Sequence, residues 1–339
     1  MQPDDFLIYR GTGVADDDDD PIRRLPPPPP WRVFDGEPVA VLDRKAPVGQ
    51  RLQYRTRAVP YQADPSTVTM VNLALHLRRP LLVTGDPGTG KSSLAYAVAH
   101  ELRLGRVLRW PITSRATLTS GLYHYDAVAR IEEANVRAGG QAGDGYSEIG
   151  RFVRLGPLGT AFAPYGTPRV LLIDEIDKSD IDLPNELLDI FEEGEYTIPE
   201  LQRIADRKSA VEVRPADNGG RVMIKDGYVR CREFPFVVMT SNGEREFPPA
   251  FRRRCIELNL AEPDKRRIQA IVRAHLGDEA ADEADGVIND FLVRREQGQV
   301  SIDQLLNMIY LQVRAGGDHR IDRDELSDVI LRPLDGPPG

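Results

Sequence analysis

The sequence predicts an α/β fold: a parallel sheet with helices on both faces, followed by a small all-helical domain. Three observations carry this expectation. Short, nearly continuous apolar runs, "LLVT" at 81, "RVLRW" at 106, "RVLLI" at 169, "FVVMT" at 236 and "CIELNL" at 255, alternate with helical stretches, as do strands buried on both faces. A glycine-rich loop leads from the first of these runs into a helical pattern, a connection suited to holding phosphate. After residue 262 the strand-like runs stop and only helical pattern follows.

Taken in order, residues 1–50 read as extended or disordered. Within them "ADDDDDPIRRLPPPPPW", residues 15–31, joins a like-charge block to five prolines, and neither piece buries enough apolar surface to offset chain entropy. The prolines beside Trp31 read as a stiff solvated spacer, with docking on a partner's aromatic groove as the alternative. Residues 51–262 contain all five strand-like runs and form the sheet domain. Its gap from 111 to 168 includes "AGGQAGDG" and "RLGPLG", which read as loops or insertions. In "VEVRPADNGGRVMIKDGYVRCREF" period-two segments flank "DNGG", the signal of a β-hairpin. Residues 263–339 are helical, with Pro263 near one helix start and Ser301 with Gln304 forming a capping box ahead of another.

The 339 residues are enough for two packed domains, and 41% hydrophobic content is ordinary for a globular protein. A formal charge of −9 makes the surface as a whole repel phosphate backbones, so nucleic acid is not the expected partner. Two cysteines, Cys231 and Cys255, are too few for a disulfide framework or a four-ligand zinc site. Five histidines show no metal-ligand spacing, and neither G-x-S-x-G nor H-E-x-x-H occurs. With no leader-like segment and no run of eighteen apolar residues, a soluble cytoplasmic protein with no membrane insertion is expected.

The loop is the most specific signal. Gly85, Gly90, Lys91 and Ser92 match G-x-x-x-x-G-K-[ST] between an apolar strand and a helix, the context that motif requires. Residues Gly85, Asp86, Pro87, Gly88, Thr89, Gly90, Lys91, Ser92 and Ser93 would curl so that backbone N–H groups face phosphate oxygens. Lys91 would reach the β- and γ-phosphates and the Ser92 hydroxyl would ligate Mg²⁺. The fold is therefore expected to be a P-loop NTPase. In "RVLLIDEID", Asp174 and Glu175 emerge at the carboxyl end of a buried strand, where open α/β sheets bind ligands. Asp174 suits the Mg²⁺ shell, and Glu175 suits a base that deprotonates an attacking water.

From about residue 60 to 262 the chain resembles the AAA+ ATPases, and within them the MoxR-like and dynein-related branch. The matching residues are "GDPGTGKS" at 85–92, "LLIDEIDKSDIDLPNELLDIFEEGEYTI" at 171–198, and "VVMTSN" followed by "EFPPAFRRRCIEL". The resemblance implies an αβα AAA+ core with a helical lid, and ATP with Mg²⁺ as ligands. It implies that Asn242 is the sensor-1 residue that helps place the lytic water. It also implies that Arg254, or Arg253 beside it, is a finger serving a neighbouring subunit's nucleotide, hence a head-to-tail ring, most often a hexamer. An arginine suits that task because its planar fork matches charge spread over phosphoryl oxygens.

By the same resemblance, "PYQADPSTVTMVNLAL" lies where relatives contact adenine, the hairpin before Asn242 is a pre-sensor-1 insert, and residues 115–155 hold a helix-2 insert. Tyr123, His124 and Tyr125 in that insert either touch a client or, as the plainer reading, pack it against the sheet. Branch members often act with a partner bearing a von Willebrand A-type domain, so a protein client of that kind is implied. The chain departs from the family at the lid arginine called sensor 2, where "VSIDQLLN" offers Asp303 or Gln304 instead. Arg294 or Arg295 is then the candidate substitute. The implied function is a ring-forming remodeller or maturation factor. A non-hydrolysing nucleotide switch and a nucleic-acid motor of restriction or helicase-loader type are the alternatives.

Overall fold

The computed structural model describes residues 6–15, 21–37, 39–40, 61–138, 149–217, 220–297 and 300–314. In chain order the first elements are α1 (Pro65–Leu77), β1 (Leu81–Thr84), α2 (Lys91–Glu101) and β2 (Leu108–Pro111). An insert follows with α3 (Leu118–Leu122), β3 (Tyr123–Tyr125), α4 (Ala127–Ala138) and β4 (Val153–Leu155), and then α5 (Pro157–Ala161). Next come β5 (Val170–Asp174), α6 (Leu183–Glu193), β6 (Glu195–Thr197) and α7 (Pro199–Gln202). The strands β7 (Ala210–Val213), β8 (Val222–Lys225), β9 (Tyr228–Arg230) and β10 (Phe236–Ser241) precede α8 (Pro249–Arg252) and β11 (Ile256–Asn259). Four helices close the described chain: α9 (Lys265–Leu276), α10 (Asp278–Glu283), α11 (Asp285–Gln297) and α12 (Ile302–Arg314).

All five apolar runs become strands of one sheet in the order β11-β1-β10-β5-β2, every pairing parallel. Successive side chains of a strand face opposite ways, and the two cores sort accordingly. Leu82, Leu171, Ile173, Val237 and Met239 join one cluster, while Leu81, Val83, Val170, Leu172, Phe236 and Val238 join the other. Helices cover both faces because neither is polar. Helix α1 starts where Asp64 accepts from the Thr67 amide at 2.7 Å with Pro65 in its first turn, and it stops at Arg78, left-handed at φ 51°.

The hairpin around "DNGG" forms, with Ala210 opposite Lys225 and Val213 opposite Val222; Asn218 and Gly219 lie outside the described residues. It is half of a four-stranded antiparallel sheet, β6-β9-β8-β7. The insert between β2 and β5 pairs β3 with β4, and Tyr123 and Tyr125 pack on the first core while His124 is exposed. Tyr123 also donates to Glu200 at 2.9 Å. Most of "AGGQAGDG" lies outside the described residues. Helices α9 to α12 pack around a third cluster that includes Ile268, Phe291 and Leu305. Asp264 caps α9 by accepting from the Arg267 amide at 2.8 Å, and the Ser301–Gln304 capping box is present at the start of α12.

The described part of residues 1–50 has little regular structure beyond two short 3₁₀ turns, yet it is fastened to the core. Ile8 and Tyr9 are buried in the second core, and the amides of Ile8 and Tyr9 donate to the Asn72 side chain. The amides of Arg10, Gly11, Thr12 and Gly13 all point at the Glu101 carboxylate at the end of α2, at 2.6, 3.2, 2.8 and 3.1 Å. The proline run is likewise laid on the core: Arg78 donates to the Pro26 carbonyl, and buried Arg32 donates to the Arg78 carbonyl and lies over Phe34 and Phe234. Composition described the segment's average, whereas a few apolar and guanidinium groups anchor it. Trp31 stays exposed, and the acidic run at 16–20 lies outside the described residues.

Candidate functional site

Strands β1, β10 and β5 are neighbours running the same way, so their carboxyl ends bring three sequence-distant segments together. Beyond β1 comes the glycine loop, beyond β10 comes Asn242, and β5 ends in Asp174 with Glu175 following. They border a cavity of about 530 Å³ that the lid helices α9 and α12 close from the other side. Its lining includes Pro87, Gly88, Thr89, Gly90, Lys91, Ser92, Ser93, Asp174, Glu175 and Asn242.

The loop turns through Gly88 and Gly90 at φ 80° and 90°, which a side chain disfavours. A Cβ on Gly88 would also press on Ser301 at the start of α12, at 3.1 Å. Lys91 is buried, and its Nζ donates to the Gly85 and Asp86 carbonyls at 2.6 and 2.8 Å. Burial lowers its pKa, partly opposed by Asp86, Asp177, Glu175 and Asp174. Gly85 and Asp86 thus serve the loop through their carbonyls.

Asp174 is the most connected side chain of the site. Its Oδ1 accepts from Ser92 Oγ at 2.7 Å and from Thr240 Oγ1 at 2.9 Å, and its Oδ2 accepts from Arg109 Nε and Nη2 at 3.0 and 2.7 Å. Burial by itself would raise the carboxyl pKa, but the hydrogen bonds from Ser92, Arg109 and Thr240 and the Arg109 charge outweigh it and hold it low. Glu175 is left-handed at φ 62°, a conformation that costs a non-glycine residue about 1–2 kcal/mol. Its amide donates to Thr240 Oγ1 at 2.8 Å, and its carboxylate meets Lys178 at 3.0 Å. Asn242 is set by Asp177, whose Oδ2 accepts from the Asn242 and Glu244 amides at 2.8 and 3.2 Å.

Arg253 and Arg254 are not part of this cavity. They precede β11, whose Ile256 pairs with Leu81 at the start of β1, whereas the loop leaves the end of β1. Roughly 10 Å of strand separates the two ends. Arg254 is partly exposed and its Nε is held by Glu192 at 2.6 Å. Arg294 and Arg295 are also not in the cavity: Arg294 pairs with Asp290 at 3.5 Å, and Arg295 with Glu262 at 3.1 Å and the Pro263 carbonyl at 3.0 Å. The lid arginine that does line it is Arg267, which bonds Asp64 Oδ2 and the Gln62 carbonyl at 3.1 and 2.8 Å. Asp303 lines the cavity from α12, and His275 from α9, its pKa lowered by burial against the pull of Asp303.

Sequence reasoning missed Arg109, Thr240 and Arg267. Arg109 left a faint signal, a charge interrupting an otherwise apolar strand. Among the described residues no group of three or more His, Cys, Asp or Glu side chains is placed to hold a metal. Both cysteines are free and buried, and no described helix is long and apolar enough to cross a membrane.

A model of the AAA domain, dynein-related subfamily, matches residues 80–255. No curated protein matches the sequence. Among solved structures, PCH-2 from C. elegans is similar over 83% of this chain and 71% of its own, at 13% identity and a TM-score of 0.40. Domain III of the replication initiation protein DnaA from Thermotoga maritima is similar over 82% and 98%, at 18% identity and a TM-score of 0.38.

Proposed function

The chain belongs to the dynein-related subfamily of AAA domains, nucleotide-binding proteins, and on that premise we propose that it is a Mg²⁺-dependent ATPase of MoxR-like type that forms a ring and remodels or matures a partner protein. The observation that carries the hydrolytic reading is the meeting of Lys91, Ser92, Asp174, Glu175 and Asn242 around one cavity at the ends of three adjacent strands. Lys91 leaves its two loop carbonyls for the β- and γ-phosphate oxygens. Ser92 and Asp174 offer two hard oxygens, too few to hold Mg²⁺ alone but enough beside phosphate and water. When bound, the metal neutralises charge on the phosphate oxygens. Glu175, presented by its strained backbone, takes the proton of the attacking water, and the Asn242 side chain orients that water.

Arg254 lies at the opposite end of the sheet from its own loop, which suits it to a neighbour's nucleotide, with Arg253 as the adjacent alternative. A head-to-tail ring, most often six-membered in relatives, is the assembly this reading implies. The client is a protein, with a von Willebrand A-type partner implied by the branch. A second reading, a nucleotide switch with little turnover, is favoured by Asp303 standing in the lid where the branch places an arginine.

The test is steady-state ATP hydrolysis against protein concentration for wild type, Glu175→Gln and Arg254→Ala, each measured alone. Rate per subunit is expected to rise cooperatively with concentration and to fall on the order of a thousandfold in each variant alone. Tight ATP binding with no Glu175-dependent turnover at any concentration would replace the ATPase by the switch.

A further inference from the structure

Both oxygens of Asp174 are fully engaged, and the four hydrogen bonds are not equivalent. Thr240 is buried on the central strand β10, and Ser92 is fixed in the first turn of α2. Arg109 is different: it is the second residue of β2, the edge strand, and its side chain is 49% exposed while Asp174 is 9% exposed. Its fork closes on the single oxygen Oδ2 through two donors, a charge-assisted pairing. Ser92 donates its hydroxyl proton to Oδ1, so the two oxygens suited to Mg²⁺ are bonded to one another and their charge is closed off by a guanidinium.

We infer that Arg109 is a built-in placeholder for the divalent cation: it neutralises Asp174 while Mg²⁺ is absent and must release Oδ2 when Mg²⁺ arrives with nucleotide. This rests on the nucleotide reading above. A buried carboxylate with no counter-charge would repel incoming phosphates across the cavity. With Arg109 in place the repulsion is cancelled, so nucleotide binds without metal at a modest penalty. Once the metal is present, Arg109 is the partner able to leave, because only it reaches Asp174 from a half-solvated position.

The experiment is equilibrium binding of a fluorescent ATP analogue to the full chain, in excess Mg²⁺ and in EDTA, read as the ratio of the two Kd values. In Arg109→Gln the unmasked Asp174 should weaken binding in EDTA about tenfold while binding in Mg²⁺ changes less than about twofold, so the ratio rises about tenfold. Arg267→Gln removes the same charge from the same cavity without touching Asp174, and should leave the ratio within about twofold of wild type. Arg109→Lys, which keeps the charge but not the fork, should move the ratio the same way by less, and serves if Arg109→Gln does not fold. An unchanged or smaller ratio in the Arg109 variants, or an equal rise in Arg267→Gln, overturns the inference while leaving nucleotide binding intact. A wild-type chain that binds no nucleotide in either condition overturns the functional reading and this inference with it.

Discussion

Asp174 joins four polar contacts in one carboxylate, and its pH response follows from them. Its pKa in the folded chain is held below the ordinary 3.8. A depressed carboxyl stabilises the fold in full above its unfolded value and loses that contribution as pH falls through the folded one. Asp174→Asn is therefore expected to be less stable than wild type at neutral pH, with the difference closing as pH drops below 3.8. Urea midpoints for both proteins across the acid range check this, and a constant gap would show that the contacts do not depend on the charge. Lys91, Ser92, Asp174, Glu175 and Asn242 were legible in sequence because each belongs to a local motif. Arg109 and Arg267 were not, since strand pairing and lid packing bring them in from segments with no motif of their own; Thr240 lies within "VVMTSN", but only the pairing of β10 with β5 shows that its hydroxyl reaches Asp174.

Among the elements, the insert between β2 and β5 depends on close backbone approach. A Cβ on Gly150 would meet the Glu212 carbonyl and the Val211 side chain well inside contact distance, and that carbonyl belongs to β7. Gly150→Ala is expected to cost about 1–3 kcal/mol. Chemical denaturation measures the loss; a cost below about 0.5 kcal/mol would mean that insert and hairpin separate easily. All five strands of the central sheet were readable as apolar runs, but their order was not, because it is a property of crossovers. Strands β6 and β9 went unread for a different reason: three-residue strands carry almost no periodicity. The Asp226–Gly227 turn between β8 and β9, with φ 53° and 73°, did carry a readable signal in its Asp-Gly pair. The capping box at Ser301 was fully local and held.

On the scale of the whole molecule, the segment before residue 40 is stapled across the core, most strongly where four successive backbone amides converge on Glu101. Glu101→Gln keeps the shape but removes the charge, and is expected to lower stability by about 1–3 kcal/mol and to speed amide exchange at residues 8–13. Exchange unchanged there would mean that Ile8 and Tyr9 alone hold the segment. Nothing in composition pointed to this staple, because a carboxylate at a helix end has no signature until the chain that wraps it is seen.

Helix α2 begins at Lys91, in the phosphate loop, and ends at Glu101, in the staple. Its eleven residues make a stiff rod about 16 Å long. A tilt of about ten degrees about its loop end would carry the far carboxylate about 3 Å sideways, beyond the slack that four hydrogen bonds tolerate. The amino-terminal segment must then travel with the rod or let go of it. In mechanical terms the molecule has one axle, gripping its ligand at one end and its own leading strap at the other, so a gauge fixed to the strap would read movement at the ligand.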